Sequence, residues 1–166
     1  MHGMACMLAH PRNPPHGRKE GGVRVYLDNC CYNRPFDDQG QLKVALESLA
    51  KLKIQDLMRS GYVEYVWSDA LSYEASKNPF PDQKQSVFEW MDGATIYVTS
   101  TDDVISRGVE LQKSGLKKLD ALHLASAEKA QCDWFFTVDK GILDKFRMLG
   151  GMYVANPVDY VTGVRQ

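Results

Sequence analysis

Hydrophobic and polar positions follow two patterns along the chain, one typical of strands and one typical of helices. Runs of β-branched and aromatic residues predict buried strands at residues 23–27, 62–67, 96–98, 133–138 and 152–154. Between these runs, apolar residues recur at helical spacing and predict helices at residues 41–59, 68–76, 82–91, 101–113, 118–128 and 141–146. Strands and helices therefore alternate almost throughout. This alternation favours a parallel sheet with helices on both faces, and the first strand is expected at its centre.

The longest predicted helix, residues 41–59, shows the helical spacing most clearly. Its apolar stripe, which we expect to pack on the sheet, consists of Leu42, Ala45, Leu46, Leu49, Leu52 and Leu57. Residues 30–39 are predicted to form a polar, turn-prone loop, and Asn156-Pro157 is predicted to end the last strand. On the helix at residues 82–91, Trp90 and Met91 would either pack on a buried face or lie at an interface between two copies.

Length, composition and charge are those of one ordinary globular domain. The chain has 166 residues, of which 44% are hydrophobic and 25% charged, so it can bury a core. Its formal net charge is −1, so any contact with nucleic acid must come from a local basic patch. No apolar run is long enough to span a membrane, and residues 1–22 lack the apolar core of a signal peptide. We therefore expect a cytoplasmic protein with no membrane partner.

The start of the chain and the cysteines carry little functional signal. Residues 1–22 are rich in Met, His, Pro and Gly, which predicts a flexible N-terminal extension before a domain at residues 23–166. The four cysteines are not arranged in the paired C-x-x-C units of zinc sites. Cys30 and Cys31 are expected to be small buried side chains in a reducing compartment.

Four acidic residues occupy positions from which they can converge at one edge of the predicted sheet. Asp28 follows the first strand and Asp139 follows the fourth, while Glu74 and Asp120 lie on helices near the same edge. Converging carboxylates repel one another unless a hard divalent cation such as Mg²⁺ or Mn²⁺ binds them. This constellation favours metal-dependent hydrolysis of phosphodiesters. Each acid taken alone is better explained as a cap, a turn residue or a solvated helix residue than as a catalytic group.

Several motifs, taken in chain order, resemble the signature of the PIN-domain family. They are Val25-Tyr26-Leu27-Asp28-Asn29, Ser68 followed by Glu74, Asp120-Ala121-Leu122-His123-Leu124-Ala125, Thr137-x-Asp139 and Asn156-Pro157. The similarity extends from about residue 23 to residue 161, and residues 32–39 are similar to a prokaryotic branch of the family. Each motif is short, but their order across a whole domain is fairly specific. The resemblance implies an α/β fold: a Rossmann-like α/β/α sandwich with a central, mostly parallel sheet.

The resemblance also implies an activity and a set of site residues. Many PIN domains are Mg²⁺- or Mn²⁺-dependent ribonucleases, and VapC-like toxins of toxin–antitoxin pairs are among them. We therefore expect a metal-dependent endoribonuclease whose partners are RNA, an antitoxin protein and a second copy of the chain. The residues matching the family's acidic positions, which would bind metal and act in catalysis, are Asp28, Glu74, Asp120 and Asp139. Those expected to bind substrate are Asn29, Arg34, Thr137 and Lys140, and Thr137 would also fix its loop.

One residue and two functions stay open at this point. His123 lies one turn beyond Asp120, where it would either act as a general acid or pack against the helix and satisfy a backbone carbonyl; we favour packing. The chain would function as a nuclease, as a non-catalytic module that binds nucleic acid, or as a toxin homologue held by a protein partner. RNA binding without turnover would favour the second function, and a tightly bound partner protein the third.

Overall fold

A single sheet forms the centre of the molecule. The computed structural model of the protein describes residues 22–163, so the predicted extension lies outside the described residues apart from Gly22. The strands in the described range are β1 Arg24–Leu27, β2 Glu64–Ser68, β3 Ile96–Val98, β4 Trp134–Phe136, β5 Met148–Leu149 and β6 Met152–Ala155. Their order in the sheet is β3-β2-β1-β4-β6-β5. All neighbouring strands are parallel except β5, which is antiparallel to β6.

Helices flank this sheet. They are α1 Asn29–Asn33, α2 Leu42–Arg59, α3 Asp69–Ser76, α4 Pro81–Asp92, α5 Asp102–Gln112, α6 Lys118–Lys129, α7 Lys140–Leu143 and α8 Pro157–Thr162, with a 3₁₀ turn at Arg34–Phe36. The predicted fold class, an α/β sandwich around a mostly parallel sheet with β1 at its centre, is confirmed. None of the helices within residues 22–163 combines the length and apolar character needed to cross a membrane.

The central strand is covered on both faces, as a parallel strand inside a sheet should be. Val25, Tyr26 and Leu27 are fully buried. The Tyr26 ring stacks on Phe135 of β4, with centroids 5.2 Å apart and planes inclined by 12°. Strands β1 and β4 are in register to their carboxyl ends, where the backbone N–H of Asp28 donates to the carbonyl of Phe136 at 2.9 Å. This pairing brings the residues that follow the two strands side by side.

Helix α2 is turned the opposite way from the prediction. Four residues of the predicted buried stripe are exposed by 75, 46, 65 and 45%: Leu42, Leu46, Leu49 and Leu52. We refer to these four residues as the leucine face. The side of α2 that is buried instead carries Val44, Glu47, Ser48, Ala50, Lys51, Ile54, Gln55 and Met58. The stripe predicted from helical spacing is therefore wrong, although Leu57 does pack partly against the core.

The polar side of α2 is buried because one of its acids finds partners there. Glu47 is 1% exposed, and its carboxylate accepts hydrogen bonds from Arg34 at 2.7 Å and from the side-chain amide of Asn156 at 2.8 Å. These bonds join α2 to the 3₁₀ turn and to the start of α8. A buried carboxylate paired in this way avoids the large destabilisation of an isolated buried charge.

Short helical elements replace much of the loop predicted at residues 30–39, because α1 and the 3₁₀ turn together span residues 29–36. Helix α8 follows the last strand. Asn156 caps α8, because its side-chain oxygen accepts the N–H of Val158 at 3.0 Å, and Pro157 occupies the first turn. Trp90 packs against the core and against Tyr65, with ring centroids 6.0 Å apart, which supports the buried-face explanation for this residue. Dimerisation stays a prediction.

Candidate metal centre

Asp28 is a buried carboxylate at the carboxyl end of the central strand. It is 4% exposed, and its Oδ1 accepts the N–H of Asn29 at 2.8 Å and so caps α1. Its Oδ2 accepts the hydroxyl of Thr137 at 2.8 Å and the thiol of Cys30 at 3.3 Å. Burial raises the pKa of Asp28 above its ordinary value, although the charge of His123 opposes the rise. The structure therefore holds this carboxylate in one orientation, in surroundings that disfavour its charge.

His123 and Glu74 form a compact group with Asp28. Nε2 of His123 lies 2.6 Å from a carboxylate oxygen of Glu74 and 3.7 Å from Oδ1 of Asp28. Nδ1 shares a 2.7 Å hydrogen bond with the hydroxyl of Tyr26, which shares another of 2.7 Å with Ser68. One ligand atom from each of the three residues Asp28, Glu74 and His123 lies within 4.8 Å of the other two. The favoured prediction for His123 is wrong, because both ring nitrogens meet side chains rather than a backbone carbonyl.

The surroundings of His123 favour its protonated form. The imidazole is fully buried, and burial lowers its pKa. The hydrogen bond to Glu74 and the charges of Asp28, Glu74 and Asp120 outweigh this effect, so the pKa of His123 is raised above its ordinary value. Without a metal ion, an imidazolium would therefore offset part of the negative charge at this centre.

Asp120 and Asp139 flank the group without belonging to the set of atoms within 4.8 Å. Asp120 is the third residue of α6, and Asp139 caps α7 by accepting the N–H of Gly141 at 2.7 Å. Burial, followed by the charges of Asp28 and Asp139, raises the pKa of Asp120 from 3.8 to about 6. The charge of Glu74 contributes in the same direction. All four predicted acids thus share one electrostatic neighbourhood.

The donor atoms at this centre suit a hard divalent cation. Carboxylates of Asp28 and Glu74 are the ligands that Mg²⁺ and Mn²⁺ prefer, and a cation would offset both the burial and the neighbouring charges that raise the pKa of Asp120. The side-chain oxygen of Asn29, the residue after Asp28, is buried and has no hydrogen-bond partner among the described residues. His123 has its Nδ1 held by Tyr26, which leaves Nε2 on the side of the carboxylates.

Comparison with known proteins does not assign the chain to a family. No protein-family model and no curated protein matches it. The crystal structure of VapBC2 from Rickettsia felis bound to a DNA fragment from their promoter is similar, with a TM-score of 0.49 and 14% identity over 81% of this chain and 98% of that chain. A likeness this distant carries no argument about function, which therefore has to be argued from the residues of this chain.

The residues predicted to bind substrate are mostly engaged in contacts of their own. Thr137 is fully buried, so it cannot touch a substrate directly. Its hydroxyl donates to Asp28 and accepts the N–H of Asp139 at 3.1 Å, which is the loop-fixing arrangement that was also expected. Arg34 pairs with the buried Glu47 at 2.6 Å, and Lys140 pairs with Asp144 at 2.6 Å. Asn29 alone of these four offers an unpartnered polar atom in the described range.

Three residues other than the eight predicted site residues support this centre. Tyr26 and Asp28 are two positions apart at the end of β1, a spacing that places both on one side of a strand, and this was an available signal. His123 is three positions after Asp120, which places both on one face of α6. Ser68 caps α3, because its hydroxyl accepts the N–H of Leu71 at 3.1 Å. Its second bond, to Tyr26, links positions 42 residues apart and had no local signal.

Proposed function

We propose that the protein is a divalent-metal-dependent ribonuclease whose site consists of Asp28, Glu74, Asp120 and Asp139. The observation that carries the proposal is the meeting of ligand atoms from Asp28, Glu74 and His123 within 4.8 Å, beside an aspartate whose pKa is raised to about 6. Crowded carboxylates of this kind are stable in their charged form when a cation neutralises them. RNA as the substrate rests on the resemblance to PIN domains.

Each residue has a distinct part in this proposal. Asp28 and Glu74 would hold Mg²⁺ or Mn²⁺ directly, with Asp120 and Asp139 completing the coordination, some of it through water. When bound, the cation would lower the pKa of a water molecule and stabilise the charge that develops on a phosphodiester. Thr137 fixes the orientation of Asp28 through their 2.8 Å bond. Tyr26 fixes the ring of His123, whose Nε2 can accept or donate a proton at the edge of the site.

Lys117 and Lys118 are better placed to bind the phosphates of the substrate than the two cations predicted to do so, Arg34 and Lys140. Both lysines are exposed, lie three and two positions before Asp120 in the chain, and form no ion pair with any residue in the range 22–163. Arg34 and Lys140 are each paired with a carboxylate at 2.6 Å. We therefore assign phosphate binding to the pair at the start of α6, and neutralising both should reduce the slope of binding against salt concentration.

Cleavage of a labelled RNA pool by purified protein tests the proposal. We expect cleavage that requires Mn²⁺ or Mg²⁺, stops with chelator, and falls at least about a hundredfold in Asp120→Asn. Asp92→Asn is the matched control, because Asp92 is exposed at the end of α4 and lies outside the group of acids. Equal cleavage by wild type and Asp120→Asn would contradict the assigned site. RNA binding with metal but without turnover would favour a non-catalytic module.

A second function, that of a PIN-like protein held by a partner, is favoured by the leucine face. Its four leucines are exposed by 45–75% on one long helix, an unusual concentration of apolar surface. The resemblance implies an antitoxin protein or a second copy of the chain as the partner. Light scattering separates them: a dimer that dissociates in the double variant Leu46→Ser/Leu49→Ser identifies a second copy, whereas a monomer leaves the face for a different protein.

A further inference from the structure

A cavity of about 250 Å³ lies away from the acids of the metal centre. Its walls come from α1, the 3₁₀ turn, α2 and α4, and none of the four predicted acids, nor His123, lines it. Binding pockets for small molecules commonly have volumes of roughly 300–1,000 Å³, so this cavity suits a small ligand. Its apolar walls are Phe36, Leu52, Val87 and Trp90.

A buried lysine without a counter-charge lines this cavity. Lys51 is 5% exposed, and within the described part of the chain it forms neither an ion pair nor a hydrogen bond. The contact recorded for its ammonium group is with the face of the Tyr32 ring, whose centroid is 5.9 Å away. Buried charges in proteins are normally paired, because burial without a partner strongly destabilises the fold. The one acid on the cavity wall, Glu89, is exposed and does not pair with Lys51.

Two further polar groups on the same wall also lack partners. The hydroxyl of Tyr32 and the side-chain amide nitrogen of Gln55 are buried and have no hydrogen-bond partner among residues 22–163. Both residues are at most 3% exposed, and both line the cavity. Unsatisfied buried polar groups are few in folded proteins, so a lysine and two such groups on one cavity wall need an explanation. All three can donate hydrogen bonds, and together they match an acceptor with one negative charge.

We propose that this cavity is a binding site for a carboxylate carried on an apolar group. The carboxylate would accept hydrogen bonds from Lys51, Gln55 and Tyr32, and the apolar part would pack between Trp90 and Leu52. A monoanion fits better than a phosphate, because the other cation on the wall, Arg59, already has Asp56 at 3.4 Å and stacks on the Trp90 ring at 5.0 Å. Two sources share this chemistry: a free small carboxylic acid, and the acidic side chain of a bound peptide.

Titration of the full chain with 3-phenylpropionate, followed by the backbone amide signals of α2 and α4, tests the proposal. We expect saturable changes, and an affinity at least about tenfold weaker for the neutral 3-phenylpropionamide, since hydrogen bonds to charged groups are among the stronger ones. Lys51→Met should weaken binding of 3-phenylpropionate by a similar factor, and Gln55→Leu should weaken it by a smaller one. Lys53→Met is the matched control, because Lys53 is exposed on the same helix.

Three results would overturn the proposal: no saturable change with the acid, equal affinity for acid and amide, or undiminished affinity in Lys51→Met. Displacement of 3-phenylpropionate by the capped peptide Leu-Glu-Leu, and not by Leu-Gln-Leu, would assign the carboxylate to a protein side chain. Failure of both peptides to displace a bound acid would assign the site to free carboxylic acids. Neither outcome depends on metal binding or RNA cleavage, so the cavity and the proposed nuclease are tested separately.

Discussion

Replacing Asp120 by asparagine should stabilise the metal-free protein while impairing the metal centre. Burial and neighbouring acids raise the pKa of Asp120 from 3.8 to about 6, and that difference corresponds to about 3 kcal/mol of unfavourable free energy in the charged form. Asp120 is only partly buried, so solvent screening reduces this figure to about 1–2 kcal/mol. Asp120→Asn also loses a favourable charge in the first turn of α6, worth about 0.3–1 kcal/mol. The expected net gain at pH 7 is about 1 kcal/mol.

The sign of this effect depends on pH in a defined way. Between pH 3.8 and about 6 the folded protein binds more protons at Asp120 than the unfolded chain does, so wild-type stability falls as the pH rises through this window. The asparagine variant lacks this contribution. The two proteins should therefore be similar in stability near pH 4 and should differ by the full amount above pH 6. Adding Mn²⁺ at pH 7 should stabilise the wild type more than the variant.

Urea unfolding with chelator at pH 4.5 and pH 7 measures this prediction. Asp56→Asn makes the same chemical change at an exposed pair with Arg59, and it should lower stability by no more than about 1 kcal/mol. The reasoning would be refuted if Asp120→Asn were less stable than the wild type at pH 7. It would also be refuted if the difference in free energy of unfolding between the two proteins did not change with pH. Asp120 would then not lie in a crowded acidic group.

Three further variants test other parts of the structure by urea unfolding. Thr137→Val should cost about 1–3 kcal/mol, because Asp28 loses a buried donor at 2.8 Å; a neutral effect would show that this bond does not hold the carboxylate. Lys51→Met should raise the free energy of unfolding by about 2–3 kcal/mol at pH 7, because burial lowers the pKa of Lys51 from 10.5 to about 8. Between pH 8 and pH 10.5 the wild type should become more stable as the pH rises, and the variant should not show this gain. Leu46→Ser should change stability by less than about 0.5 kcal/mol, since the residue is 46% exposed, whereas a loss above 2 kcal/mol would place it in the core.

The strand pattern was readable from the sequence because the core strands bury side chains on both faces. Runs such as residues 23–27 and 133–138 can be satisfied only inside a sheet, and their order with helices between them leaves few topologies. The convergence of Asp28 with Asp139 follows from β1 and β4 being parallel neighbours. The Ser68 cap is local chemistry as well, because it needs only the residues of its own turn.

The orientation of α2 was not readable in the same way. Its leucines recur at the spacing of a buried stripe, yet they are exposed, and the buried side contains Glu47, Lys51 and Gln55. Glu47 is compensated by Asn156, which is 109 residues away in the chain, and by Arg34. Periodicity cannot reveal partners at that separation. For a helix whose apolar side is exposed, the pattern of hydrophobicity alone therefore predicts the wrong side to be buried.

The position of His123 illustrates a similar limit within the candidate site. Its spacing from Asp120 showed that the two share a helix face, but its bonds run to Glu74 and Tyr26, 49 and 97 residues away. Those contacts exist only once β1, α3 and α6 are packed together. The acids were proposed from the motifs they occupy, and their function stays a prediction. The long-range hydrogen bonds of His123 could not be read from the sequence.

Binding of Mn²⁺ to the purified protein tests the central claim most directly, because it requires no knowledge of the RNA target. Calorimetric titration should show saturable binding at the group of acids that tightens as the pH rises from 5 to 7, since binding must displace protons from Asp120 and His123, whose pKa values are raised. Asp28→Asn should abolish this binding, and Asp92→Asn should leave it unchanged. Failure of the wild type to bind Mn²⁺, or equal binding by Asp28→Asn, would contradict the account.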